Sequence, residues 1–149
     1  MRILIGVDDS PHSEAAIDFV KAMAWPSGTH AIVVSSVRPL VAAYSELYVP
    51  AATQPEDVLE EQIRRHQELV SRAERRLKDA GLGTEARVLQ GDPRESLIEA
   101  AKADRVDLVV VGSHGRTGVA KLLMGSVASH IVAHAPCSVL VVKLAGHPA

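Results

Sequence analysis

The apolar positions along this chain fall into two kinds of pattern. Residues 3–7, 31–37, 85–89, 108–111 and 139–142 are short apolar-rich runs, each closed by polar residues, glycine or proline. Runs with little alternation suit strands covered on both faces, as in a parallel sheet. Between them the period lengthens. Ala16, Ile17, Val20 and Met23 share one helical face after Ser10 or Ser13, either of which can cap the helix. From Glu56 to Ala80 the stripe Leu59, Ile63, His66, Val70, Ala73 and Leu77 is the clearest helical signal, and Gly81 is placed to end it. On its outer face Glu60/Arg64, Glu61/Arg65 and Glu68/Arg72 stand four apart in the favoured orientation. Shorter helices are predicted over 94–103, carrying Leu97, Ile98 and Ala101, and over 126–135, where Pro136 stops the turn.

The resulting order, β-α-β-α-β-α-β-α-β, predicts an α/β protein: an open five-stranded parallel sheet with helices on both faces. No internal repeat or linker interrupts it, and 149 residues suit a single domain spanning 1–149. Residues 38–55 have no period and contain Pro39, Pro50 and Pro55. A stretch of that length predicts a functional loop more than a plain connector.

Composition removes several classes of function. The net charge of -2 provides no field that would draw nucleic acid or an anionic membrane. With Phe19, Trp25, Tyr44 and Tyr48 as its only aromatic residues, the chain has few platforms on which bases could stack. Cys137 is the only cysteine, so neither an internal disulfide nor a cysteine-rich zinc site is available. The first apolar run meets Asp8 too soon for a signal peptide, and no run has the length of a transmembrane helix. The expectation is a soluble cytoplasmic protein.

Candidate chemistry concentrates between the fourth strand and the last helix, in the stretch Gly112 to Ser126. Open α/β folds hold ligands where a strand gives way to a helix. Glycines let backbone N–H groups approach an anion, and a helix N-terminus favours phosphate. The Ser126 hydroxyl can add a donor or help hold a metal ion. Neither the P-loop pattern nor the dinucleotide fingerprint after the first strand is present; only Gly6 stands there.

What the loop does contain is Gly-x2-Gly-x9-Gly-Ser, filled by Gly112, Gly115, Gly125 and Ser126. It resembles the ATP-binding motif of the universal stress protein family. The opening Ile-Leu-Ile-Gly-Val-Asp-Asp-Ser and the closing Val-Ala-His-Ala-Pro-Cys-Ser-Val-Leu-Val-Val-Lys extend the likeness over nearly the whole chain. Two positions depart from the family pattern: Asp9 stands for a usual glycine and Ser138 for a usual proline. The first adds a carboxylate beside the expected phosphates, which would oppose anion binding unless a cation intervenes.

The resemblance implies a strand order of 3-2-1-4-5, of the adenine nucleotide alpha hydrolase-like kind, with ATP at the switch between strands 1 and 4. Asp8 would meet the ribose or a bound Mg2+ ion. Val37 would offer its backbone to adenine, Gly112 and Gly115 would lie along the ribose and first phosphates, and Gly125, Ser126 and Val127 would hold the outer phosphates. Asp8 and Ser126 are the candidate metal ligands. The family also implies a homodimer joined through the last strand, Val139 to Val142.

Each assignment has a plainer alternative. Asp8 could be a helix cap. His66 reads as a core-edge histidine, and Cys137 as a small packed residue. Arg116 and Lys121 could reach phosphates or simply be solvated, and Gly118 could merely loosen the loop. His114 is the tempting acid–base group, but the sequence supplies it no orienting partner. His130 and His134 stand four apart without an evident acidic partner or third ligand, which argues against zinc. Three functions are therefore compared: an ATP-dependent stress sensor that partners read, with 38–55 as part of that surface; a slow Mg-dependent ATPase or phosphotransferase; and a stress-response dimer without nucleotide. No catalytic residue is assigned.

Overall fold

The computed structural model describes residues 1–39, 55–116 and 124–145. The chain runs β1 (Arg2–Gly6), α1 (Pro11–Ala22), β2 (His30–Val37), α2 (Pro55–Asp79), β3 (Gly83–Gln90), α3 (Pro93–Ala103), β4 (Leu108–Gly112), α4 (Ser126–His134) and β5 (Ser138–Val142). All pairings are parallel, and the sheet order is β3-β2-β1-β4-β5, as the family resemblance implies. The chain builds outward from β1 in one direction and then in the other, so a crevice opens past the carboxyl ends of β1 and β4.

Burial explains the apolar runs. Alternate residues of a strand face opposite sides, so Ile3, Ile5, Val33 and Val110 meet Ala16, Ile17 and Val20 of α1 and Val70, Ala73 and Leu77 of α2. Leu4, Ile32, Val34, Val109 and Val111 pack on the other side against Leu97, Ile98 and Ala101 of α3 and Ala128 and Ile131 of α4. The three central strands thus need apolar residues at nearly every position. The outer strands do not: β3 and most of β5 are only partly buried. That is why β3 carries Glu85 and Arg87, and why its full extent, Gly83–Gln90, exceeds the apolar run at 85–89.

Local chemistry sets the helix boundaries. Ser10 caps α1 by accepting the Ser13 N–H at 3.2 Å, with Pro11 at the first helical position. Asp92 caps α3 through the Arg94 N–H at 2.9 Å. Gly81, at φ +88, closes α2.

Two expectations about helix faces are corrected. Met23 is not buried: α1 stops at Ala22, and Met23 turns to extended backbone with 45% of its surface exposed. Of the charge pairs on α2, Glu61–Arg65 forms at 2.9 Å, but Arg64 pairs with Glu61 and Glu68, both at 2.7 Å, and not with Glu60. Arg72 reaches Glu14 of α1 at 3.6 Å, beside Arg76, which clasps Glu14 and Asp18. Glu68, the partner expected for Arg72 on α2, is instead engaged by Arg64. Residues 40–54 of the proposed functional loop lie outside the described residues. Among the described residues, no helix is long and apolar enough to cross a membrane.

Candidate functional site

Past the end of β1, the Val7 N–H reaches the Val34 carbonyl at 2.8 Å, which carries the chain to Asp8 at the mouth of the crevice. The Asp8 N–H is taken by Ser13 Oγ at 3.0 Å. Asp8 Oδ1 accepts both the Ser10 N–H, at 3.0 Å, and the Ser10 hydroxyl. Oδ2 faces the loop after β4: a Cβ on Gly115 would stand 2.8 Å from it. Asp8 is thus not the cap of α1, which is Ser10; one of its oxygens holds that cap residue and the other is turned towards the glycine loop.

The glycines of the motif have different local reasons. At Gly112 a Cβ would come within 2.7 Å of the His12 carbonyl carbon, so this glycine lets the first turn of α1 rest on the end of β4. At Gly125 a Cβ would stand 3.2 Å from both the His114 Cα and the Ser113 carbonyl oxygen, and the Gly125 N–H donates to that oxygen at 2.7 Å. Only Gly115 opens towards a charged group. Gly125 is also the N-cap of α4 and makes no side-chain cap, unlike Ser10 and Asp92. Ser126 follows at the first helical position with an exposed side chain, and the Val127 side chain packs into the core. Residues 117–123, with Gly118 and Lys121, lie outside the described residues.

Ser113 ties the site together. It is 1% exposed; its N–H goes to the Val142 carbonyl at 2.8 Å and its carbonyl takes Gly125. Its hydroxyl lies 3.1 Å from Nδ1 of both His12 and His114, whose ring centroids are 5.0 Å apart. The orienting partner that the sequence did not reveal for His114 is thus its own neighbour, together with a histidine from α1. The available signal was positional: His12 lies one helical turn beyond Asp8, where α1 begins.

Arg116 and Asp9 join the two sides of the mouth, Nε to Oδ1, at 2.9 Å. The cation needed beside Asp9 is therefore present in the loop. On the far side, His66 of α2 is anchored 2.7 Å from Ser35 Oγ. Ser35 gives its own proton to the Val7 carbonyl at 2.7 Å, so His66 must donate through Nδ1–H. Burial lowers the His66 pKa, and the positive charge of Arg116 adds to this, while Asp9 and Asp8 oppose it. His66 is thus a core-edge histidine, as its stripe suggested, but it also feels the charges of the mouth. Val37 is buried at the end of β2, and its carbonyl already accepts the Gly91 N–H at 2.8 Å, leaving one lone pair.

The remaining candidates separate from this region. His130 does have an acidic neighbour, Glu95 at 3.2 Å, contrary to expectation; α3 supplies it across the helix pair. His134 instead donates its Nδ1–H to the His130 carbonyl at 2.9 Å. Among the described residues, no group of three or more His, Cys, Asp or Glu could hold a metal ion. Cys137 is partly buried against the α3–α4 core, and burial pushes its thiol pKa up, away from the reactive thiolate.

Comparison with known proteins agrees with this architecture. Residues 1–143 match the profile of the Universal stress protein family. A universal stress protein of Thermus aquaticus is 32% identical over 141 residues, covering 95% of this chain and 97% of its own length. The fold superposes on MJ0577 of Methanocaldococcus jannaschii with a TM-score of 0.85 at 23% identity, over 98% of this chain and 97% of that one. A universal stress protein solved in complex with cAMP aligns with a TM-score of 0.66 at 26% identity, over 96% of each chain.

Proposed function

Because the chain belongs to the universal stress protein family, we propose that it is a nucleotide-dependent stress-response regulator that binds an adenine nucleotide at the mouth formed by Asp8, Gly115 and the start of α4. One observation carries this reading: the only motif glycine whose missing Cβ faces a charged group is Gly115, opposite Asp8 Oδ2. The neighbour solved with cAMP supports an adenine nucleotide as the ligand class.

ATP with Mg2+ is the proposed ligand. The uncapped N-terminus of α4, starting at Gly125 and Ser126, suits a phosphate, since its N–H groups and dipole favour negative charge. Val37 would read the base, Gly112 would border the ribose side, and the Val127 backbone would extend the phosphate cradle. Asp8, through the Oδ2 that Ser10 leaves open, and the Ser126 hydroxyl would hold Mg2+, an ion that usually takes one or two protein oxygens and completes its shell with phosphate and water. When bound, the ion would neutralise charge on the phosphates.

The proposed assembly is a cytoplasmic homodimer joined along β5. Val142 turns its carbonyl to Ser113 on the β4 side, so with a period of two Val139 and Val141 direct their backbone groups to the open edge. An open edge is a template for pairing with a second copy. A protein partner would then read the nucleotide state.

Calorimetric titration of nucleotide-stripped protein with ATP and Mg2+ tests the site. Saturable binding with one nucleotide per chain is expected; absence of heat and of competition by AMP or ADP would refute it.

A further inference from the structure

Resting on the nucleotide site just proposed, we propose that His66 selects the base, its Nε2 accepting a hydrogen bond from the exocyclic amino group of adenine. The Ser35 hydroxyl has a single proton and two neighbours, the Val7 carbonyl and His66 Nδ1, both at 2.7 Å. A carbonyl can only accept, so that proton goes to Val7. The contact with the ring is then a hydrogen bond only if Nδ1 carries the donor. In the neutral imidazole the proton is thereby placed on Nδ1, and Nε2 is left with a bare lone pair. Burial, and after it the positive charge of Arg116, disfavours a second proton on the ring, against Asp9 and Asp8. Among the described residues, Nε2 has no hydrogen-bond partner of its own.

The fold puts this acceptor at one end of the crevice. Ser35 and Val37 are two apart on β2 and so share a face. His66 stands one turn before the buried Val70 on α2 and meets β2 near its carboxyl end. Through Ser35 it is tied to Val7, the residue before Asp8. The start of α4, which favours phosphate, follows β4, whereas β2 lies on the opposite side of β1. A nucleotide with its phosphates at Gly125 and its sugar over β1 therefore turns its base towards Val37 and His66. Adenine presents its N6 amino donor there. Guanine and hypoxanthine have a carbonyl oxygen at that position, which the Nε2 lone pair repels. Neighbouring cations are engaged elsewhere: Arg116 pairs with Asp9, Arg65 with Glu61, and Arg64 with Glu61 and Glu68.

The test is titration of ATP and inosine triphosphate (ITP), each with Mg2+, into wild type and His66→Leu, with the His66 imidazole 15N shifts of wild type recorded before and after each nucleotide. ITP has the same ribose and phosphates as ATP and a carbonyl in place of the amino group. Wild type should bind ATP about tenfold more tightly than ITP, and His66→Leu should bring that ratio below about twofold, mainly by weakening ATP. In ligand-free wild type the Nδ1–H tautomer is expected, and the Nε2 resonance should move on adding ATP, a readout that does not depend on the variant folding. Equal binding of ATP and ITP by wild type, or an unchanged ratio in the variant, would overturn the proposal while nucleotide binding itself survives. So would an Nε2–H tautomer in the free protein, or equal loss of both nucleotides in the variant, which marks a ribose contact or a packing defect. If neither nucleotide binds wild type, the site fails and the base contact falls with it.

Discussion

Arg116 Nε lies 2.9 Å from Asp9 Oδ1, so the carboxylate that departs from the family pattern is matched by a cation from the opposite wall. Both side chains are 64% exposed, and exposed pairs contribute about 0–1 kcal/mol to stability. The consequence belongs to binding more than to folding. Arg116→Ala leaves Asp9 unbalanced beside the phosphates and should weaken ATP about fivefold, which corresponds to about 1 kcal/mol. Asp9→Gly in the same background should restore most of the loss. Calorimetry on the two variants and their combination measures it, and a strictly additive result would show that the pair is not coupled to the ligand.

The motif glycines should differ in what they cost. Gly112→Ala drives a Cβ to within 2.7 Å of backbone in α1, which cannot swing aside. Overpacking of this kind costs about 1–3 kcal/mol. Gly115→Ala meets only the end of the Asp8 side chain, at 2.8 Å, and should cost less than half as much. Urea unfolding of both variants decides; equal stabilities would contradict the distinct packing of the two positions.

His66 gives the fold a pH dependence with a definite sign. Its native pKa lies below the ordinary value of 6.5 because of burial first and Arg116 second. The unfolded chain therefore takes up this proton at a higher pH than the native one. The stability contribution is complete above pH 6.5 and is lost as the pH falls through the lowered native value. His66→Gln should flatten the stability profile over that interval, and Arg116→Ala should raise the His66 titration seen by NMR. A downward move on removing Arg116 would contradict the charge assignment.

Much of this was legible in the sequence, because the central strands and their covering helices leave strong periodic signals. Ile3 to Ile5 and Val109 to Val111 are apolar because both faces are covered, and Gly115 and Gly125 stand in a spacing that marks the loop. What was hidden depends on contacts between distant segments. His12 and Ser113 are 101 positions apart, and Arg72 finds Glu14 only once α1 and α2 pack together. Met23 kept the period of its helix but lay one residue past its end, where periodicity has no force.

The open edge of β5 gives a prediction for assembly. Val141→Pro removes a backbone donor on the outer side of the strand while leaving the ladder to β4 intact. Sedimentation should show a dimer for wild type and a monomer for the variant. A wild-type monomer at tens of micromolar would rule out the β5 dimer.

The central claim is a nucleotide site in which Gly115 passes over Asp8. Its most direct test is calorimetric titration of nucleotide-stripped protein with ATP and Mg2+, in parallel with Gly115→Val. The account predicts saturable binding by wild type and at least a tenfold loss in the variant, whose branched side chain would fill the phosphate path while the sheet stays folded. Equal affinity in the two proteins, with the variant folded by circular dichroism, would contradict it.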